Sequence, residues 1–336
     1  MTPGNLDGQV PTPADQFREI REGSHPSRNW EGCAAFGRVP VVTVRVPATI
    51  ANFGPAFDAL GVAVSLYNTL ELEIGPTLFV EVHGEGEGVL PPDERNLVAR
   101  AAAVVAAECR RPAVFTVRCR NDIPLARGLG SSSAAIIGGM AGANALLGRP
   151  LDDDVLLRLA AGLEGHPDNV APALFGGAVV CGTAAGTVTY ARLTPAWQAA
   201  VVVAVPSYAV ATEEARRRLP EAVPFGDAVA NVARTAALVA SLITGRTDLL
   251  AQAMEDALHQ PYRRPLVPGM DAVFVAARGA GAYGAALAGS GPSIVALTPA
   301  DRTGAVGEAM VEAFRAAGAS ARALVLRIDE TGATVT

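Results

Sequence analysis

The residues best placed to do chemistry form a run of turn-formers and hydroxyls: Pro124, Leu125, Ala126, Arg127, Gly128, Leu129, Gly130, Ser131, Ser132, Ser133 and Ala134. A strand ending near Asp122 leads into this run, and a helix opens from it. Gly128 and Gly130 let the backbone turn with its N–H groups facing one point, and the helix start adds partial positive charge. The serine hydroxyls can donate to phosphate or ligate Mg²⁺. The chemistry is anion binding. The same residues also suit a capped helix after an ordinary turn, and the loop alone leaves the two readings even.

Composition narrows what such a site could be. The chain has 336 residues and a formal net charge of −6, and all 27 of its basic residues are arginine. Without lysine there is no Schiff-base or pyridoxal chemistry, no Walker A lysine and no protein-kinase strand lysine. The acidic balance argues against nucleic acid or an anionic membrane as the main partner. Arg216, Arg217 and Arg218, the densest basic cluster, read as a solvated helix face. Cys33, Cys109, Cys119 and Cys181 show no C-x-x-C spacing and read as reduced thiols of a cytoplasmic protein. His25, His83, His166 and His259 are too far apart to suggest zinc. The longest apolar runs fall short of the ~20 residues of a membrane span, and no secretory signal opens the chain.

The elements that must position these residues mix strands and helices without strict βαβ alternation, so the fold class is α+β in two lobes meeting near 185–197. Residues 1–39 read as a flexible extension, 40–193 as the first lobe and 194–330 as the second. Strands are expected at 41–46 (bounded by Pro47), 63–74, 78–82 and 114–120, then a hairpin ending near 193. Helices are expected at 96–108, 131–148 and 152–165. The second lobe should hold strands at 199–206, 283–289, 293–297 and 321–328, with helices at 211–219, 227–244, 247–258, 270–278 and 301–317.

The anion loop resembles the ATP-phosphate loop of the GHMP kinases. Val46-Pro-Ala-Thr-Ile-Ala-Asn-Phe-Gly-Pro-Ala-Phe-Asp-Ala-Leu-Gly61 is similar to that family's first motif in its homoserine kinase form. Gly284-Ala-Ala-Leu-Ala-Gly-Ser-Gly-Pro-Ser293 is similar to the C-terminal motif. Glu164-Gly-His-Pro-Asp-Asn-Val-Ala-Pro-Ala-Leu-Phe-Gly-Gly177 resembles a segment typical of homoserine kinases. Ile50 and Ala56 depart from the Ser and Gly common in the first motif. The resemblance implies a ribosomal protein S5 domain 2-like first lobe and a ferredoxin-like second lobe.

It also implies roles for residues that composition leaves plain. Residues 124–134 would bind ATP, with Asn96 near the adenine. Ser132 and Glu164 would hold Mg²⁺, although Glu164 alone reads as a surface glutamate. Asn52, Asp58, Asn169 and Gly289 would contact an amino-acid substrate. Arg234 and Arg263 would clamp its carboxylate, with Arg264 an adjacent alternative. Asn169 stands where many relatives place an aspartate base, and an amide is no base at neutral pH, so catalysis would rest on positioning and charge neutralisation. His166 and Asp168 read as a structural histidine and a turn cap. The implied reaction is ATP-dependent phosphorylation of the L-homoserine hydroxyl to O-phospho-L-homoserine, on the route to threonine, by a cytoplasmic homodimer. Alternatives are a sibling kinase of mevalonate, shikimate or a sugar, or an inactive metabolite sensor.

Overall fold

The computed structural model describes residues 40–196 and 200–336. The extension expected at 1–39 and the first residue of the strand expected at 199–206 lie outside the described residues.

β1 (Val41–Asn52) and β2 (Ala56–Ile74) form a long antiparallel hairpin. β3 (Phe79–Gly84), α1 (Leu97–Glu108) and β4 (Phe115–Asn121) follow, then α2 (Ser131–Leu146), α3 (Asp153–Glu164), α4 (Pro167–Phe175) and a hairpin of β5 (Ala178–Ala184) with β6 (Thr187–Leu193). These strands build one sheet, in which β2 pairs β1 along its length, β4 at one end and β5 at the other. Pro47 reads in sequence as a strand end, yet β1 runs on to Asn52. The pairing slips between Pro47 and Ala48, and a residue without an N–H fits such a bulge. Asn52 and Asp58 therefore stand on opposite strands at one hairpin tip.

The second part comprises β7 (Ala200–Pro206), α5 (Thr212–Arg217), α6 (Phe225–Thr244), α7 (Leu250–Ala253), α8 (Gln260–Arg263), α9 (Met270–Gly279), β8 (Gly284–Leu287), β9 (Ile294–Thr298), α10 (Thr303–Ala316) and β10 (Ala321–Leu326). Its sheet runs β10-β7-β9-β8, antiparallel throughout. The helix expected at 247–258 is instead a 3₁₀ turn and the single turn α7. Asp256 explains the stop: its carboxylate accepts from the N–H groups of Leu258, His259 and Gln260 at 2.9, 2.9 and 2.6 Å. A side chain that satisfies backbone donors in this way competes with a continuing helix.

Period-two alternation on β7 joins the two sheets. Val201, Val203 and Val205 are buried in the same cluster as Val44, Ile50 and Leu70 of the first sheet, while Val202 and Ala204 pack with Met270 and Phe314 on the other face. The chain then goes back to the first sheet, a step the sequence reading did not contain. Ile328 bridges Val64, and β11 (Thr334–Val335) pairs with β1. Asp329 fixes this return: it accepts from Tyr67 Oη (2.8 Å) and from the N–H groups of Thr331 (3.0 Å) and Gly332 (2.7 Å).

Candidate active site

A cavity of about 250 Å³ is enclosed by the β1–β2 tip, the 124–130 loop, the starts of α2 and α4, and α5. Gly130 is the N-cap residue of α2 in the left-handed region, with φ 68°. A Cβ there would lie 1.9 Å from Thr49 Oγ1, and one on Gly128 (φ 73°) would lie 2.0 Å from the Ala288 carbonyl oxygen. Only glycine allows the loop this close to β1 and to the β8–β9 turn. No side chain caps α2, so its first-turn N–H groups are available to an anion. Ser132 Oγ donates to Glu164 Oε1 at 2.6 Å, and Ser133 Oγ donates to the same oxygen at 3.0 Å.

Not every expected loop residue faces the cavity. Pro124, Ala126, Arg127, Gly128, Leu129, Gly130, Ser131 and Ser132 border it, whereas Leu125, Ser133 and Ala134 lie behind the wall. Arg127 commits its guanidinium to carbonyl oxygens, with Nε on Pro206 (3.0 Å), Nη1 on Leu125 (3.0 Å) and Nη2 on Ser207 (2.7 Å). It straps the loop to the end of β7. Asn96 is outside the lining. Its Oδ1 accepts from Val98 N–H at 3.0 Å and its Nδ2 donates to Pro91 at 2.9 Å, so here it caps α1.

The opposite wall is the hairpin tip. Asn52 (φ 73°) and Asp58 (φ 54°) both hold left-handed backbone, a strain that persists only where the surroundings fix it. Asn52 Nδ2 donates to the Gly289 carbonyl (3.0 Å), and its Oδ1 accepts from Asp58 N–H (3.0 Å). The Asp58 carboxylate accepts from both terminal nitrogens of Arg216, at 3.0 and 2.8 Å. Burial alone would lower the Arg216 pKa, but the bond and charge of Asp58 outweigh it and raise it.

Arg263 is 2 % exposed. Its Nη1 donates to the Gly289 carbonyl (3.1 Å) and to His259 Nδ1 (3.2 Å), while its buried Nε has no protein partner. Burial, and then the charge of Arg216, lower its pKa to about 10, which leaves it protonated at neutral pH. The fully buried His259 is held neutral because desolvation pulls its pKa far down. The Gly54 carbonyl, 2.7 Å from Nε2, can only accept, and Arg263 can only donate. Nε2 therefore carries the hydrogen.

At the base of the cavity, His166 Nδ1 and Asp168 Oδ1 are 2.5 Å apart. Desolvation lowers the His166 pKa, but the hydrogen bond and charge of Asp168, with the charge of Glu164, raise it overall. Asn169 Oδ1 accepts from Thr49 Oγ1 at 2.9 Å, which turns its NH₂ toward Asp168, 3.5 Å away.

The structure thus brings Asn52, Asp58, Asn169, Arg263 and Gly289 together with Ser132 and Glu164 around one cavity. Arg234 is not among them. It sits beside the buried face of α6 set by Asn231, Leu238 and Leu242, and donates to Glu255 at 3.1 Å. Arg264 is turned outward to Asp271, 2.9 Å away. Arg216 occupies the cavity instead, with Thr212, His166 and Asp168. The reading of 216–218 as a wholly solvated face fails at Arg216. The available signal was Thr212 and Arg216 four residues apart on one helical face.

Residues 96–177 match the family described as GHMP kinases N terminal domain, and 238–318 match GHMP kinases C terminal. The homoserine kinase of Carboxydothermus hydrogenoformans is 46% identical over 297 residues, covering 87% of this chain and 96% of that protein. The crystal structure of homoserine kinase from Cytophaga hutchinsonii aligns with a TM-score of 0.82 at 31% identity, over 91% of this chain and 100% of that one. Mevalonate kinase of L. major, solved with R-mevalonate, shares the fold with a TM-score of 0.66 at 17% identity, over 85% of this chain and 95% of that one.

Proposed function

Because this chain belongs to the homoserine kinases of the GHMP family, we propose that its cavity binds L-homoserine as a zwitterion and phosphorylates its hydroxyl with ATP. The products are O-phospho-L-homoserine and ADP, on the route to threonine. The observation that carries the residue assignment is the bidentate Arg216–Asp58 pair facing the phosphate loop across one cavity. Both side chains are partly exposed, so a zwitterion can exchange places with each partner: ammonium to Asp58, carboxylate to Arg216 and to the under-bonded Arg263. The ligand atoms of Asp58, His166 and Asp168 lie within 4.8 Å of one another. Two arginines beside that cluster suit it to an organic ammonium that brings its own carboxylate.

The phosphates fit the loop 124–130 and the start of α2, where backbone donors replace the lysine the chain lacks. Ser132 Oγ and Glu164 Oε1 are hard oxygen donors side by side, one of them anionic, which is a donor set that fits Mg²⁺. When bound, Mg²⁺ supplies charge neutralisation for the phosphoryl oxygens. Asn169, oriented by Thr49, would position the acceptor hydroxyl by donating from its NH₂. Asp168 is engaged by His166 Nδ1, 2.5 Å from its Oδ1. Catalysis then rests on alignment and on fixed dipoles at the α2 start. We place this reaction in the cytoplasm, in keeping with the free thiols of Cys109, Cys119 and Cys181.

The test is phosphoryl transfer by the purified chain with Mg-ATP and homoserine, read as phosphohomoserine by ³¹P NMR, alongside Arg216→Ala and Arg234→Ala. Losing a charge-assisted bidentate contact should raise the homoserine KM by about 10- to 100-fold in Arg216→Ala. Arg234→Ala should leave it near the parent value. Transfer to alcohols without an α-amino acid group in preference to homoserine would overturn the reading, and equal effects of the two substitutions would overturn the arginine assignment.

A further inference from the structure

His259 is fully buried and lies behind the cavity wall, outside the residues that border it. Burying an imidazole is costly unless both ring nitrogens are matched. Here each nitrogen meets a different part of the site. Nε2–H donates to the Gly54 carbonyl at the β1–β2 tip (2.7 Å), and Nδ1 accepts from Arg263 Nη1 (3.2 Å). The imidazole packs against Phe57, with ring centroids 5.2 Å apart, and Arg263 Cζ lies 5.2 Å from the centre of the same phenyl ring. The backbone fixes the pair as well. Arg263 N–H donates to the His259 carbonyl (3.1 Å), four residues back across α8, and His259 N–H donates to Asp256 (2.9 Å).

Arg263 Nη1 carries two hydrogens, and this arrangement uses both, one on His259 Nδ1 and the other on the Gly289 carbonyl (3.1 Å). Two acceptors on one nitrogen fix the plane of the guanidinium, where a single acceptor would let it twist. The donors left over are on Nε, which is buried without a partner, and on Nη2, which makes no hydrogen bond among the described residues. Together they form the edge by which a guanidinium takes a carboxylate through two parallel bonds. A carboxylate in the place of His259 would satisfy the arginine inside the protein. A neutral imidazole orients it and leaves its charge for an incoming anion.

The same bonds close a loop. Asn52 Nδ2 donates to the Gly289 carbonyl that Arg263 uses (3.0 Å), and Asn52 and Gly54 share the hairpin tip. Asn52 Oδ1 in turn accepts from Asp58 N–H (3.0 Å). The arginine is thus tied, through His259 on one side and Gly289 on the other, to the tip that carries Asp58. We propose that His259 is a positioning residue for the substrate carboxylate. It acts through Arg263, presenting the free edge of the guanidinium at a fixed separation from Asp58, so that the two ends of an α-amino acid are measured against each other. This role rests on the homoserine reading, in which Arg263 meets that carboxylate.

The experiment is steady-state kinetics on His259→Gln, His259→Asn, Arg263→Ala and the double variant His259→Gln, Arg263→Ala, with thermal melting to show that each is folded. A glutamine amide reaches the Nε2 side of the imidazole and keeps only the Gly54 bond, whereas an asparagine amide overlays the Nδ1 side and can still accept from Arg263. In His259→Gln the homoserine KM should rise about tenfold, with kcat and the ATP KM near the parent values, because a contact made equally in ground and transition states moves KM alone. His259→Asn should keep the homoserine KM within about threefold of the parent, and a tenfold rise there overturns the proposal even where the glutamine variant does not fold. Arg263→Ala should raise the homoserine KM, and adding His259→Gln to it should change nothing further, since the two residues act as one unit. Independent effects of the two substitutions, or a rise in the ATP KM alongside that for homoserine, would make His259 a core residue and overturn the proposal while leaving the homoserine reading intact. A parent-like homoserine KM in Arg263→Ala would remove the arginine from the substrate and the proposal with it. A parent chain that makes no phosphohomoserine by ³¹P NMR would overturn the reading itself.

Discussion

At the scale of single residues, the site is a set of charges that answer one another before any ligand arrives. Asp58 answers Arg216, His166 answers Asp168, and Glu164 takes two serine hydroxyls. The His166–Asp168 pair can be followed through pH. The folded pKa of His166 is raised above the unfolded value, so its contribution to stability is fully present below pH ~6.5 and is lost as pH rises through the folded pKa. The urea midpoint of the parent should therefore fall relative to that of His166→Asn as pH is raised from mildly acidic to alkaline. A constant difference between the two would refute the pairing. The sequence made the types of these residues legible and their pairings less so. Asp58 and Arg263 carried motif context, but Arg216 sat in a run of three arginines, two of them turned outward, and only its spacing from Thr212 marked it. Arg234 had motif context yet lies outside the cavity lining, bonded to Glu255, because helix rotation decides which side of α6 a residue occupies, and that rotation is set by distant contacts of Asn231 and Leu238.

At the scale of elements, the site depends on how a helix begins and how a hairpin ends. α2 starts at a left-handed Gly130 pressed against Thr49, so the turn and β1 are one construction. Gly130→Ala combines a strained φ, worth about 1–3 kcal/mol, with a clash that must move either the turn or Thr49. We expect the ATP KM to rise at least about tenfold, the factor that ~1.4 kcal/mol carries, with a smaller change in the homoserine KM. An ATP KM equal to the parent's would mean that the phosphates bind elsewhere. The helices and strands of the first lobe were legible because their periodicity is strong, as in Ala-rich α1 and alternating β2. The long run of β1 past Pro47 was not, since proline reads as a stop wherever the pairing register is unknown. The break at Asp256 was hidden for a similar reason: its effect lies in three backbone hydrogen bonds made after the helix has already ended.

At the scale of the whole molecule, the last ten residues close the structure rather than trail from it. Asp329 holds Tyr67 and two backbone N–H groups, while its own backbone bonds Ala63 and Gly177. Asp329→Ala should lower stability by about 3 kcal/mol, the scale of losing hydrogen bonds to a buried charge. The same loss should follow from Tyr67→Phe only in part, since one of the bonds is removed. Equal stability of Asp329→Ala and the parent, by urea denaturation, would show that the tail is not integral. Sequence patterning ended the last strand near 328 because a two-residue strand such as β11 has no periodicity to detect.

The alternating valines of β7 have a further consequence. They place the second sheet in the first sheet's core, so the wall built by the 124–130 loop and the wall that carries Arg263 are anchored in one packed interior. Such an arrangement leaves no hinge plane across which the two walls could swing as separate bodies. The reacting atoms need not await a large closure to become aligned. If each substrate docks here, the loss of translational freedom is borne on docking, and the shared core of the two sheets holds the facing walls in place.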